Sequence, residues 1–246
     1  MVTGTGTGVG KTVVSAAVAL LARAQGLSVA YVKPAQTGLA YGVDVPGDPS
    51  DADVVRTLSG LEPGNTHEFA RYPDPLSPAA AARATGWPAL DLNKSAARIR
   101  VLAKNHRLVL VEGAGGLLVR YDDDGSTFAD LARMLQAPML VVAGAGLGTL
   151  NHTALTLEAM AGRGIELAGL VIGEWPVDPD VAARSNVSDL EMLAARPLSG
   201  ALGALATAPF ADIARDGLAP AFGGRFDPLQ FRARFSPARP SPKDAP

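Results

Sequence analysis

A glycine-rich segment near the start of the chain constrains its fold more than any other feature. Residues 4–12 read Gly-Thr-Gly-Thr-Gly-Val-Gly-Lys-Thr, and a helical pattern follows them. Glycines let successive backbone N–H groups converge on phosphate oxygens, and the helix adds the positive end of its dipole. The spacing is a variant of the usual phosphate loop, because Thr5 stands where the first glycine is expected. We therefore predict a phosphate site in which Lys11 reaches the β and γ phosphates and the Thr12 hydroxyl binds Mg²⁺.

The composition excludes several classes of protein. The chain has 246 residues, 48% hydrophobic and 19% charged, so it can bury a full core and is not disordered throughout. It contains no cysteine, which excludes disulfides, thiolate nucleophiles and sulfur-ligated metals. The net charge of −2 gives no basic excess for nucleic acid, and no apolar run approaches the roughly 18 residues of a membrane span. We therefore expect a cytoplasmic enzyme that binds small molecules and neither nucleic acid nor membrane.

Short apolar runs alternate with helical patterns along the chain. Continuous runs of this kind are typical of parallel strands that are covered on both faces. We predict strands over Leu27–Val32, Leu108–Val111, Met139–Val142 and Leu170–Ile172. We predict helices over Lys11–Gln25, Asp91–His106, Thr127–Leu135, Thr149–Arg163 and Asp180–Ala195. The alternation predicts an α/β fold, a doubly wound and mainly parallel sheet flanked by helices, of the P-loop nucleoside triphosphatase type.

The two ends of the chain differ from its body. We predict one domain over residues 1–235 and a disordered tail over residues 236–246, which hold four of the 19 prolines. We expect removal of this tail to leave the function of the protein unchanged. The first strand has only Met1–Thr3 before the glycines, whereas strands average about 5–6 residues. We therefore expect the natural translation start to lie a few codons upstream.

Two charged residues follow predicted strands, at the edge where ligands bind in such sheets. Lys33 follows one strand and Glu112 follows another. A carboxylate in this position is typical of a Mg²⁺ site, and a lysine is notable in a chain with 17 arginines and five lysines. One of the aspartates within Asp44–Asp53 would complete the magnesium site with Thr12. The alternative is that Lys33 is a surface cation and Glu112 a solvated loop acid.

Six short segments occur in a specific order between residue 2 and about residue 210. They read Val-Thr-Gly-Thr-Gly-Thr-Gly-Val-Gly-Lys-Thr (2–12), Lys-Pro-Ala-Gln-Thr-Gly (33–38), Ser-Asp-Ala (50–52), Ser-Pro-Ala-Ala (77–80), Val-Glu-Gly-Ala-Gly-Gly (111–116) and Leu-Gly-Thr-Leu-Asn-His (147–152). Together they resemble the dethiobiotin synthetase family. The resemblance implies an ATP- and Mg²⁺-dependent reaction that adds CO₂ to 7,8-diaminononanoate and closes the ureido ring of dethiobiotin, in biotin synthesis. It also implies a homodimer with active sites at the interface.

The resemblance further implies roles for individual residues. Mg²⁺ would be bound by Thr12, Asp51 and Glu112. Lys11 and Lys33 would be catalytic, with Lys33 neutralising the carbamate and the transferring phosphoryl group. The nucleotide would be bound by Gly8, Val9, Gly10, Lys11, Thr12, Glu112, Gly113, Gly115 and Gly173. The diamine would be bound by Thr7, Thr37, Gly115, Leu147, Gly148 and Asn151. Asn151 would act across the interface on the carboxylate of the partner's substrate.

Three glycines depart from the pattern of the family. Gly8 stands where some members carry an acidic side chain, and Gly146 stands where some carry a charged one. Gly173 stands where many members have an asparagine that reads adenine. We therefore predict loose selectivity for ATP over other nucleoside triphosphates.

Two other classes of function stay open on the sequence alone. One is a partitioning or metal-trafficking ATPase, although such switches usually carry a second lysine early in the glycine loop and residues 5–9 have none. The other is a non-catalytic nucleotide-binding protein. A GTPase is less favoured, because Asn93 and Lys94 are followed by Ser95 and Ala96, without the aspartate that reads guanine.

Overall fold

The computed structural model describes residues 1–39 and 49–235 of the chain. The predicted tail over 236–246 and the residues Asp44 and Asp48 lie outside these ranges. The strands are β1 (Val2–Gly4), β2 (Val29–Thr37), β3 (Thr66–Tyr72), β4 (Leu108–Gly116), β5 (Met139–Ala143), β6 (Leu167–Trp175) and β7 (Gly200–Gly203). The helices are α1 (Lys11–Ala24), α2 (Asp51–Ser59), α3 (Pro78–Thr85), α4 (Leu92–Asn105), α5 (Phe128–Leu135), α6 (Thr149–Ala161), α7 (Val181–Ala194), α8 (Phe210–Gly217) and α9 (Pro228–Phe235).

The seven strands of the described ranges form one parallel sheet. Their order is β3-β2-β4-β1-β5-β6-β7, so the chain winds outward from β1 in both directions. This confirms the predicted doubly wound α/β fold. Because all strands are parallel, their carboxyl ends meet at one edge, and the loops after β1, β2 and β4 are neighbours there.

The sheet separates two apolar layers. Along β5, Met139, Val141 and Ala143 pack into one layer, whereas Leu140 and Val142 pack into the other. Helices α1, α2 and α8 cover the second layer, and α3 to α7 cover the first. Burial on both faces explains why the strands are continuous apolar runs in the sequence. No helix in the described ranges is long and apolar enough to cross a membrane.

The predicted helices begin and end within two residues of the observed ones, and local side chains explain several starts. The Asp91 carboxylate accepts a hydrogen bond from the Lys94 N–H at the start of α4, and Asp180 does the same for Ala183 at the start of α7. Thr127 and Asp130 form a capping box on α5. These caps were readable in the sequence because each short polar residue directly precedes a periodic apolar pattern.

The structure corrects the predicted ends of three strands, and β6, predicted over Leu170–Ile172, runs over Leu167–Trp175. Strand β2 continues to Thr37 and β4 continues to Gly116, so Lys33 and Glu112 lie within strands and not in the loops after them. Pro34 is accommodated because neither ladder of β2 pairs at this residue: pairing with β4 ends at Val32, and pairing with β3 omits Pro34. The sheet therefore fixes the backbone from which the Lys33 and Glu112 side chains extend.

Candidate active site

The glycine loop joins β1 to α1 at the carboxyl edge of the sheet. Gly10 is the N-cap of α1 and has a φ of 92°, a left-handed conformation that favours glycine. The Lys11 side chain is buried, and its Nζ donates to the Gly6 carbonyl oxygen at 2.9 Å, across the loop. The loop therefore curls around the Lys11 side chain. Its position at the start of a helix is suited to binding an anion.

Strand β6 packs against the glycine loop. A Cβ added to Gly173 would collide with the carbonyl oxygen of Val9 and lie 2.7 Å from Val142 Cγ1. A Cβ added to Gly10 would lie 2.9 Å from the Gly173 backbone. The glycine loop and β6 therefore touch backbone to backbone, and the Gly173 position has no room for a side chain.

Glu112 is the most enclosed charged group of the site. It is fully buried, and its two oxygens receive hydrogen bonds from different parts of the chain. Oε2 accepts from the hydroxyls of Ser15 at 2.8 Å and Tyr31 at 3.0 Å. Oε1 accepts from the Thr12 hydroxyl and from Lys33 Nζ, both at 2.9 Å. Because a buried carboxylate requires such partners, these contacts fix its position.

Asp51 lies on the other side of the Lys33 ammonium. Lys33 Nζ forms an ion pair with Asp51 Oδ2 and also donates to the Gly113 carbonyl oxygen at 3.2 Å. The Thr12 hydroxyl lies 3.0 Å from Asp51 Oδ1. The side chains of Thr12, Asp51 and Glu112 thus converge, as predicted for the metal site, with Lys33 among them. Asp51 is positioned at the first residue of α2 rather than in a loop, where its backbone N–H donates to Gln36 Oε1 at 3.1 Å.

The two lysines have opposite pKa shifts. Burial lowers the pKa of Lys11 to about 8, and the charge of Lys33 adds to this effect. Burial also acts to lower the pKa of Lys33, but the nearby Glu112 and Asp51 carboxylates outweigh it and raise this pKa above its ordinary value. Burial acts to raise the pKa of Asp51, and Lys33 overcomes that and lowers it. The two carboxylates therefore favour the charged form of Lys33, whereas burial makes the charged form of Lys11 less favourable than in water.

The donor set fits magnesium. A hydroxyl and two carboxylates are hard oxygen donors, and Mg²⁺ is usually held by one or two carboxylates together with water and phosphate oxygens. The described residues contain no cluster of three or more carboxylate, histidine or cysteine ligands, so the protein alone offers no complete metal cage. This donor set suits a cation that arrives with a phosphorylated ligand.

A cleft of about 880 Å³ opens beside these groups. Among the predicted site residues, its walls contain Thr7, Gly8, Gly10, Lys11, Thr12, Lys33, Thr37, Asp51, Glu112 and Gly115. Its walls also contain residues that the sequence reasoning did not assign, including Gln36, Ser77, Val119 and Glu174. The cleft is large enough for a triphosphate and a small organic substrate together.

Several predicted site residues lie elsewhere. Val9, Gly113 and Gly173 are behind the cleft wall, and the Cα of Gly113 faces the Phe128 ring. Leu147, Gly148 and Asn151 lie at the start of α6, outside the walls of this cleft. Leu147 is 94% exposed.

Sequence reasoning missed three residues that hold the charged groups. Ser15 lies one helical turn after Thr12 on α1, and Tyr31 lies two residues before Lys33 on β2, so each shares a face with a predicted site residue. These spacings were available in the sequence. Gln36 gave no comparable signal, because its contact with Asp51 depends on where α2 begins.

A second cleft of about 930 Å³ lies at the carboxyl ends of β6 and β7. Helices α8 and α9 bound it, and the rings of Phe231 and Phe235 lie 4.9 Å from the Trp175 ring. Glu174 lines the first cleft and Trp175 lines the second, so the end of β6 separates them.

Comparisons with solved structures support the fold alone. A ParA family ATPase from Chlorobium tepidum superposes with a TM-score of 0.51 at 13% identity, over 94% of each chain. Chloroplast FtsY from Physcomitrella patens superposes with a TM-score of 0.52 at 16% identity, over 96% of this chain and 64% of that one. At such low identity these likenesses do not favour a partitioning or targeting function.

Comparisons of sequence are more specific. A family model described as "AAA domain" matches residues 1–205. Proteins named ATP-dependent dethiobiotin synthetase from Parafrankia sp. and Frankia casuarinae are each 59% identical, over 96% of this chain and 98% of theirs. The protein of that name from Saccharopolyspora erythraea is 55% identical, over 92% of this chain and 97% of its own. With this identity over nearly the whole length, the chain belongs to the ATP-dependent dethiobiotin synthetase family.

Proposed function

We propose that this protein uses ATP to join CO₂ to 7,8-diaminononanoate and to close the product to dethiobiotin. The observation that carries the proposal is the meeting of two lysines, two carboxylates and a phosphate loop at one cleft. Family membership fixes the reaction class, and the cleft supplies the groups that this class requires. We also propose a cytoplasmic location, because ATP is supplied there.

The reaction divides into three steps. The neutral amine of the substrate attacks CO₂ and loses a proton, which gives a carbamate. A carbamate oxygen then attacks the γ-phosphorus in line, and ADP leaves. The second amine attacks the carbonyl carbon of this mixed anhydride, loses a proton and expels phosphate, which closes the five-membered urea. None of these steps needs a covalent enzyme nucleophile, in agreement with a chain without cysteine.

The chief task of the protein is to stabilise negative charge. ATP, the carbamate and the leaving phosphate bring several negative charges together, and fixed cations need not reorganise as water must. Lys11 within the glycine loop would bind the β and γ phosphates, and Lys33 would contact the carbamate and the transferring phosphoryl group. One preorganised donor of this kind contributes about 100- to 1,000-fold in rate.

Thr12, Asp51 and Glu112 would hold Mg²⁺ in this scheme. When bound, Mg²⁺ neutralises charge on the phosphate oxygens. Ser15 and Tyr31 fix the Glu112 carboxylate through its second oxygen, and Gln36 fixes the start of α2 next to Asp51. Ser15 and Tyr31 do not line the cleft, so they would position Glu112 without touching the substrate, and Gln36, which lines it, would position Asp51.

The diamine would lie between Thr7, Thr37 and Gly115 in the phosphate cleft. We place Leu147, Gly148 and Asn151 at the cleft of a second subunit, because they lie outside the cleft of their own chain and Leu147 is almost fully exposed. Asn151 would bind the carboxylate of the partner's substrate. This proposal makes the homodimer the active species.

The second cleft would receive the nucleobase. It adjoins the phosphate cleft across the end of β6 and contains both apolar and charged walls. Gly173 would face the nucleotide only with its backbone, since its Cα abuts the glycine loop.

The deciding experiment is to incubate the purified chain with the diamine, bicarbonate, Mg²⁺ and ATP, and to detect dethiobiotin by mass spectrometry. Phosphate release is measured in parallel with and without the diamine. We expect dethiobiotin, and phosphate release only when the diamine is present. Equal phosphate release without diamine would indicate an ATPase switch, and nucleotide binding without any turnover would indicate a non-catalytic protein.

A further inference from the structure

We propose that Lys33 is an internal competitor of the metal ion, an ammonium that Mg²⁺ must displace from the Asp51 and Glu112 carboxylates. Metal binding would then be coupled to the arrival of an anionic substrate that accepts the displaced ammonium. This inference rests on the proposed function for the assignment of Thr12, Asp51 and Glu112 as the magnesium ligands and for the anionic substrate that accepts the ammonium.

The contacts of Lys33 are those that a cation at this site would make. Its Nζ forms an ion pair with one oxygen of Asp51. It forms a second ion pair with Oε1 of Glu112, at 2.9 Å. The same Oε1 accepts a hydrogen bond from the Thr12 hydroxyl at 2.9 Å. The other oxygen of Glu112 is already occupied by Ser15 and Tyr31. Within the described residues, Glu112 therefore offers one oxygen to a cation, and Lys33 is bound to it.

Charge balance favours exchange over addition. The two carboxylates carry two negative charges and Lys33 carries one positive charge, so this trio has a net charge of −1. Adding Mg²⁺ beside Lys33 would place three positive charges against two negative ones in a largely buried site, where like charges repel strongly. If Lys33 moves away, Mg²⁺ and the two carboxylates balance.

The displaced ammonium needs a new partner, because Lys33 is buried. Lys33 lines the phosphate cleft, so the oxygens of a bound triphosphate or carbamate lie within its reach. One exchange would thus release the carboxylates to the metal and deliver the lysine to the reacting anion. The exchange would explain why the Lys33 ammonium is paired with two of the proposed metal ligands.

Lys11 provides a matched control. It lines the same cleft and also carries one charge, but its Nζ bonds to the Gly6 carbonyl oxygen and to neither carboxylate. Lys11→Gln therefore removes a positive charge near the site without freeing a carboxylate oxygen. A purely long-range effect of charge would make Lys11→Gln and Lys33→Gln behave alike.

The test measures Mn²⁺ binding to the full chain without nucleotide, by the electron paramagnetic resonance signal of free Mn²⁺. We expect Lys33→Gln to lower the Mn²⁺ Kd at least about tenfold relative to wild type, and Lys11→Gln to change it by less than about threefold. Equal affinities of Lys33→Gln and wild type, or equal gains in the two variants, would overturn the proposal. No turnover is measured, so a chain that fails to make dethiobiotin would leave this result intact.

Thermal unfolding gives a second readout. Lys33→Gln leaves buried carboxylates without their counter-ion, so we expect it to unfold at a lower temperature than wild type. Millimolar Mg²⁺ should recover most of that loss and should change the wild-type Tm little. A Lys33→Gln protein that Mg²⁺ does not stabilise, or that stays unfolded in Mg²⁺, would also overturn the proposal.

Discussion

At the scale of single residues, Glu112 determines how the site is built. Four side chains donate to its two oxygens, and they come from α1 and β2, which precede β4 in the chain and contact it in the fold. The carboxylate is therefore held in place before any ligand binds. Charge that is fixed in advance is more effective in catalysis than charge that must reorganise.

Lys33→Gln is expected to lower kcat/KM at least about 100-fold, because it removes the cation proposed to contact the reacting anions, and loss of one such donor costs about 100- to 1,000-fold. The measurement is steady-state dethiobiotin formation, with circular dichroism to check the fold. Lys94→Gln is the control, since the Lys94 side chain is 85% exposed and does not line the cleft. Full activity of a folded Lys33→Gln enzyme would refute the assigned role.

Nucleotide selectivity is expected to be low, because residue 173 offers no side chain to read the base. We predict that ATP is preferred over CTP and GTP by less than about tenfold in kcat/KM, or about 1.4 kcal/mol. The three triphosphates can be compared in the same dethiobiotin assay. A larger preference for ATP would mean that other residues read adenine.

Gly173→Ala is expected to impair the glycine loop. The new methyl group would overlap the Val9 carbonyl, and overpacking of this kind costs about 1–3 kcal/mol. We expect the KM for ATP to rise at least about fivefold, with a smaller effect on the KM for the diamine. Gly64→Ala is the matched control, because nothing lies within 4 Å of a Cβ added there. Unchanged KM values for Gly173→Ala would contradict the tight contact between loop and strand.

At the scale of elements, the ladder of β2 and β4 brings the charged groups together. Parallel pairing places Val32 opposite Val111, so the residues that follow, Lys33 and Glu112, are neighbours across the two strands. Tyr31 shares a face with Lys33 and reaches the same carboxylate. A single register thus determines two contacts of the site, those of Tyr31 and Lys33 with Glu112.

Tyr31→Phe tests this arrangement. It removes a buried hydroxyl that donates to a carboxylate, so we expect the free energy of unfolding to fall by about 1.5–3 kcal/mol. Tyr72→Phe, which removes a donor to the neutral Pro88 carbonyl oxygen, is expected to cost less, about 0.5–1.5 kcal/mol. Denaturant unfolding of both variants makes the comparison. A loss for Tyr31→Phe no larger than that for Tyr72→Phe would show that the hydrogen bond from Tyr31 to Glu112 is no stronger than one to a neutral carbonyl oxygen.

The sequence predicted the central elements well and the outer ones poorly. Runs such as Met139–Val142 were recognisable because burial on both faces demands uninterrupted apolar residues. Strand β3 was missed because it is an edge strand whose residues are mostly half-buried and polar. The ends of β2 and β4 were missed because charged and small residues, which read as loop, continue the strands into the site. The positions of Lys33 and Glu112 were nevertheless found, since both follow apolar runs at the carboxyl edge.

At the scale of the whole molecule, the proposed homodimer accounts for the residues that the cleft does not use. The loop before α6 presents Leu147 to solvent in the single chain, and nothing in the phosphate cleft contacts it. No sequence pattern could place this loop relative to another subunit. Its assignment to the partner's site therefore remains a prediction that solution experiments can check.

Leu147→Glu is expected to weaken the dimer and to lower activity together. A carboxylate at a 94% exposed position costs nothing in the monomer but would be desolvated in an interface. Light scattering coupled to gel filtration measures the mass, and the dethiobiotin assay measures the activity at the same concentration. Val101→Glu, an exposed position on α4, is the control. A dimeric and fully active Leu147→Glu protein would exclude the proposed interface.

The three segments that meet at Glu112 are far apart along the chain. Thr12 is 100 residues away from it and Lys33 is 79 residues away. Contacts of such long range form only when most of the sheet has assembled, so ligand-binding competence should appear late in folding. A ligand that bridges these segments would then oppose unfolding of the sheet as a unit, and saturating substrate should slow proteolysis throughout the chain rather than near the cleft alone.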